Sequence, residues 1–144
     1  MNNKFLRSVV AGIVATIAMS AMMMIAAQLG MPKMEPPKML ATTMGASVAI
    51  GWIMHFMIGI IFALIYSFII KDWLTKITSS LGKGVVFGII AFVMAQISMG
   101  LMMQIFPTMP TPSGNMIVIL MGGLIGHILF GIVVAAIVNK KITS

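Results

Sequence analysis

Long apolar runs alternate with short polar stretches along the chain: 5–29, 43–70, 84–106 and 115–138 hold a single charged residue between them, Arg7. Crossing a bilayer takes about 20 residues of helix, so each run is long enough, with some left over for tilt or for extension beyond the hydrocarbon. The pattern predicts an all-α polytopic membrane protein with four transmembrane helices. Pro32, Pro36, Pro37, Pro107, Pro110 and Pro112 all fall in the connections after the first and third runs, where no helical hydrogen bond is lost. The first run opens on Lys4 and Arg7 like a signal peptide, yet its apolar part exceeds a typical h-region and three more spans follow. It is read as a retained first helix.

Composition agrees: 60% of the residues are hydrophobic, 8% are charged, and the mean hydropathy is +1.14. That excludes a soluble domain of ordinary make-up. The formal charge of +7 lies in short clusters between apolar runs, not on one basic face, which argues against a nucleic-acid partner. Lys4, Arg7, Lys71, Lys76, Lys83, Lys140 and Lys141 flank one side of the spans, and only Lys33 and Lys38 the other. By the positive-inside rule both termini and the middle loop are cytoplasmic, in the bacterial inner membrane, with the lipid bilayer as the first partner. With no cysteine in the chain, disulfides, thiolate metal sites and haem-attachment motifs are ruled out.

The second and fourth runs carry one motif twice, at a shift of 72 residues: Gly51-x3-His55-x3-Gly59-x3-Ala63 and Gly123-x3-His127-x3-Gly131-x3-Ala135. These hold the chain's only two histidines. A shift of 76 residues aligns the first and third runs, setting Val9, Val10, Gly12, Ile13 and Ala15 on Val85, Val86, Gly88, Ile89 and Ala91, and Ser20 on Gln96. The chain thus reads as one membrane domain, 1–144, of two parallel-repeat helical hairpins, 5–70 and 84–138, related by an axis along the membrane normal.

Residues four apart share a helix face, so each motif is a single stripe. One use is close packing, with Gly51, Gly59, Gly123 and Gly131 letting backbones approach and each histidine making an interhelical hydrogen bond. The other is a ligand site: an ionisable group inside a span is a site hypothesis by default, and the glycines clear space beside the ring. His55 and His127 each stand about 12 residues, or ~18 Å of rise, from the outer start of their runs, near the midplane. Thr16, Ser20, Gln96 and Ser98 lie at similar depth, and Ser20 and Gln96 can partner the ring nitrogens. Haem b, with His55 and His127 as axial ligands, is one candidate cofactor. Glu35 and Asp72, the only carboxylates, lie outside the spans, and no triad or phosphate loop is present, so no enzyme activity is expected.

Methionine adds a second pattern. Of the 18 methionines, all but Met1 fall between Met19 and Met57 or between Met94 and Met121, the outer halves of the spans and the outer loops. A flexible filler accounts for the number but not for the one-sidedness. Thioethers suit Cu(I), which makes Met22, Met23, Met99, Met102 and Met103, with the two histidines, candidate ligands for a soft metal.

A first span with Ala15-Thr16-x2-Met19-Ser20, an outer Leu29-Gly30-x-Pro32, and Gly-x3-His-x3-Gly in the second and fourth spans resembles a family of small bacterial four-helix membrane proteins of unknown function. The resemblance covers nearly the whole chain and implies an intramembrane histidine pair; it brings no activity. Three roles stay open: a site that binds or passes a small ligand or soft metal, a haem-b redox subunit, and an accessory subunit without a ligand. Four helices leave little room for a transport path, so a homo-oligomer or a partner membrane protein is expected. Gly84-x3-Gly88 and Gly122-x3-Gly126 are the candidate contact faces, unless they pack within one chain.

Overall fold

A computed structural model of the chain describes residues 3–106, 109–110 and 113–140. Among them are five helices: α1 (Lys4–Gln28), α2 (Pro36–Thr43), α3 (Val48–Trp73), α4 (Ser80–Ile105) and α5 (Met116–Val138). All but α2 are long and apolar enough to cross a membrane, so the all-α architecture expected from the runs is observed. Within α3 the turn Tyr66–Ile70 is π-helical and buries Tyr66, Ser67 and Ile70.

Local chemistry sets the helix ends. Asn3 Oδ1 accepts from the Phe5 N–H at 2.9 Å, Ser79 Oγ from Gly82 at 2.9 Å and Asn115 Oδ1 from Ile117 at 2.9 Å, which caps α1, α4 and α5. Ser79 also explains why α4 begins four residues before the apolar run at 84. The second run departs further from expectation, because 43 belongs to α2 and the spanning helix starts at Val48. Pro36 and Pro37 occupy the first turn of α2, where an N–H has no helical partner to lose. Gly45, at φ +61°, ends it in a conformation that favours glycine. A proline pair read as loop punctuation therefore starts a helix. Pro107, Pro112 and Lys141 lie outside the described residues.

Packing follows the order α3, α1, α5, α4, with α2 laid on α3. Where helices meet within lipid, close van der Waals contact replaces the hydrophobic effect as the attraction, and glycine decides how near they come. A Cβ on Gly12 would stand 2.6 Å from Ile60 Cα and 2.9 Å from the Gly59 carbonyl oxygen. On Gly84 it would stand 2.5 Å from Ile132 Cα and 2.9 Å from the Gly131 oxygen. Neither site admits a methyl group.

These two contacts correspond at a single shift of 72 residues through both hairpins. The 76-residue alignment of the first and third spans is therefore one helical turn out: Gly12 matches Gly84, and Ser20 matches Phe92 rather than Gln96. Positions four apart on a helix share a face, so apolar identities alone align nearly as well a turn away. Backbone contact separates the two alignments.

The α1–α5 junction is filled by methionine. Met23 Cε and Met22 Cε lie 3.1 and 3.2 Å from where a Gly126 Cβ would be, and Met34 Cε lies 3.0 Å from the same point on Gly122. Gly122, Gly126, Gly84 and Gly88 are thus all engaged within one chain. At the far end Arg7 Nη2 donates to the carbonyls of Ile137, at 2.7 Å, and Lys140, at 2.5 Å. It satisfies acceptors that the end of α5 would otherwise leave free.

Candidate functional site

Between α3 and α4 there is no comparable interface. The stripe Phe87, Ala91, Ala95 on one face of α4 explains why. Phe87 is fully buried and meets Tyr66 of α3 at 4.8 Å and Phe130 of α5 at 6.2 Å, centroid to centroid, which closes the Arg7 end. One and two turns on, the same face carries only a methyl group. The two helices part there around a cavity of about 710 Å³ that reaches α2 and the loop beside Lys33 and Glu35.

Both histidines line this cleft. His127 Nδ1–H donates to the Gly123 carbonyl of its own helix at 2.7 Å. In a neutral ring that bond places the lone pair on Nε2, for which no partner occurs among the described residues. The ring edge of His127 meets Phe92 at 5.6 Å and 69°. His55 Nε2 lies 3.3 Å from Ser20 Oγ across the α1–α3 contact, and its ring meets Trp52 edge-on at 6.0 Å. The repeat therefore holds for position but not for chemistry, since Ser20 faces one histidine where Phe92 faces the other.

The remaining expected residues sort by contact. Thr16 floors the cleft, but its hydroxyl donates to the Gly12 carbonyl at 2.7 Å and its Oγ1 sits where a Gly59 Cβ would go. Gln96 and Ser98 line the cleft, and neither hydrogen-bonds a histidine among the described residues. Gly51 is covered by the Pro37 carbonyl and Ala41 of α2, Gly123 faces Phe92, and Gly131 receives the backbone of Gly84 and Gly88. Met23, Met99, Met102 and Met103 line the cleft, whereas Met22 is turned into the Gly126 notch. His55 comes seven residues after the start of α3 and His127 eleven after the start of α5, because α2 and its turn replace the first turn of α3. The matched glycine contacts still hold the two at one level.

Phe62, Phe92 and Phe130 form much of the wall and were not singled out from sequence. Carrying the 72-residue shift back through the first and third spans would have found Phe92 opposite Ser20.

Fold and cleft together define a four-helix protein of the membrane-spanning class, its histidine pair in a tapered opening between two helices. The chain belongs to a family of unknown function, DUF6789, which matches residues 2–142. No curated protein and no solved structure matches it.

Proposed function

We propose that this is a small multi-pass protein of the bacterial cytoplasmic membrane, with both termini on the cytoplasmic side, that holds or passes a small, mainly apolar molecule in the cleft. The observation that carries the reading is that the chain's only two histidines line one cavity of about 710 Å³ although their helices share no extended interface beyond the π-helical turn Tyr66–Ile70. A closed bundle would have served packing alone. Phe62, Phe92, Phe130 and the methionines suit a flat or flexible apolar body, while His127 Nε2, the Ser20–His55 pair and Gln96 suit one or two polar groups on it.

A second reading is favoured by the thioethers of Met23, Met99, Met102 and Met103, which share the cleft with both imidazoles. That donor set is soft and fits Cu(I). Harder cations are less suited, since no group of three or more His, Cys, Asp or Glu occurs among the described residues.

The test compares wild type with the His55→Ala/His127→Ala variant, both purified from cells supplied with copper and haem. Solvent extraction with mass spectrometry, elemental analysis and an optical spectrum are run on each. The expected result is an organic molecule in the wild type, depleted at least tenfold in the variant at equal helical content. Copper lost with the histidines transfers the assignment to the second reading, and a Soret band lost with them makes the pair haem ligands. Two proteins that both come out empty leave the accessory role and sink the proposal.

A further inference from the structure

At the Arg7 end, away from the cleft, the end of α3, the start of α4 and the end of α5 border an open pocket of about 280 Å³ lined by Lys71, Thr78, Ser80, Lys83 and Asn139. Lys71 and Lys83 come from different helices and are both half-buried. Among the described residues no carboxylate pairs with them: the ion pair there, Lys38 to Glu35, lies at the opposite end, and Asp72 is exposed. Two cations drawn into one polar recess without a counter-ion set up a site for an anion.

The rest of the lining is fixed in place. Ser80 Oγ donates to the Ala135 carbonyl at 2.9 Å and accepts from Asn139 Nδ2 at 3.2 Å, and the same Nδ2 donates to Tyr66 Oη at 2.7 Å. The pocket also faces the first turn of the 26-residue α4, whose dipole adds positive potential there. Trp73, 76% exposed, and Phe68, 48% exposed, flank it on α3, and Lys4 Nζ stands 4.5 Å from the Phe68 ring centroid. Exposed aromatics beside lysines at the end of a span are the residue types of the headgroup level. Ordinary flanking lysines extend into water, as the exposed Lys76 does; Lys71 and Lys83 converge instead.

We infer that this pocket binds a phosphate group, either the headgroup of an anionic phospholipid or a free phosphate, between Lys71 and Lys83 with the Thr78 hydroxyl as a third donor. Basic recesses between membrane helices are suited to such headgroups. The site is independent of the cleft and of any ligand there.

Native mass spectrometry of the full chain, in micelles doped with phosphatidylglycerol or phosphatidylethanolamine, tests it. Wild type is expected to retain phosphatidylglycerol, and Lys71→Gln/Lys83→Gln to lose at least fivefold of it at unchanged helical content. Lys71→Arg/Lys83→Arg is expected to stay within twofold of wild type, and so is the control pair Lys76→Gln/Lys140→Gln, exposed lysines at the same end that do not line the pocket. Displacement of the lipid by millimolar inorganic phosphate assigns the site to free phosphate; resistance to it assigns the site to the lipid. Equal retention in the Lys71→Gln/Lys83→Gln protein, an equal loss in the control pair, or equal retention of phosphatidylethanolamine overturns the inference.

Discussion

Exchanging the two hairpins maps the α1–α5 junction onto the α4–α3 junction, and the two could hardly be filled more differently. α1 sends Met19, Met22 and Met23 toward Gly126 of α5, long side chains into a notch. The matching positions on α4 are Ala91, Met94 and Ala95, and the match of Gly126 on α3 is Met54. The first junction closes, while the second stays open as the cleft. Within each hairpin, by contrast, Gly12 and Gly84 make nearly the same backbone contacts, Gly12 on Gly59 and Ile60 and Gly84 on Gly131 and Ile132. A repeated backbone scaffold can therefore carry one packed seam and one site, with side-chain volume at a few face positions deciding which is which.

The largest expected effect breaks the shared part of this comparison. A Cβ on Gly131 would lie 2.5 Å from Gly88 N and 2.8 Å from Gly88 Cα, backbone that cannot move aside without parting α4 from α5. On Gly59 the first obstacle is a side-chain atom, Thr16 Oγ1. Gly131→Ala is expected to cost about 3 kcal/mol or more, and Gly59→Ala about 1–2 kcal/mol, from overpacking. Thr16→Gly, which copies Gly88, should restore most of the second loss. Reversible unfolding in mixed micelles measures all three, and equal losses at the two glycines would show that the scaffold is looser than its contacts imply.

Next in size is conversion of the open junction into the closed one. Ala91→Met/Ala95→Met gives α4 the side chains of α1, and these fill the cleft. Retention of the cleft ligand by extraction and mass spectrometry should fall at least tenfold, while the empty protein gains about 1 kcal/mol from the added contacts. Unaltered retention would place the ligand elsewhere.

Because the natural chain has no cysteine, single thiols can report the same contrast. Ala95→Cys stands on the cleft wall, and Met23→Cys, its repeat partner, borders the same cleft but is packed against Gly126 and only 7% exposed. A small neutral maleimide is expected to label the first about tenfold faster, a ratio worth about 1.4 kcal/mol in access. Similar rates would mean that both junctions open alike.

Sequence made the four spans legible because apolar runs of this length have few other uses, and it paired the histidines because they are rare. It could not show the open junction. That depends on Phe87, Ala91 and Ala95 lying on one face opposite Tyr66 and Phe62, and nothing within a single helix says which face meets which neighbour. α2 was hidden by its own proline pair, which punctuates a loop and starts a helix equally well. The one-turn error between the first and third spans had practical cost, since it offered Gln96 as the counterpart of Ser20 and passed over Phe92.

The smallest expected effect concerns the histidines' unequal partners. The 3.3 Å separation of Ser20 Oγ from His55 Nε2 is long for a hydrogen bond to a ring nitrogen, and hydrogen bonds between membrane helices average about 0.6 kcal/mol in double-mutant cycles. A Ser20→Ala/His55→Ala cycle should therefore show a coupling near that value or below it. The edge-on contact of Phe92 with His127 should couple by about 0.5–1 kcal/mol, as aromatic pairs do. Phe92→Ser then supplies the comparison's own control, because it puts a hydroxyl at the position that Ser20 holds in the other hairpin. If the shared backbone contact sets the distance, the hydroxyl introduced by Phe92→Ser should couple to His127 as weakly as Ser20 does to His55. Coupling well above that would mean that the levels of the two rings differ, and that the repeat ends at the glycines.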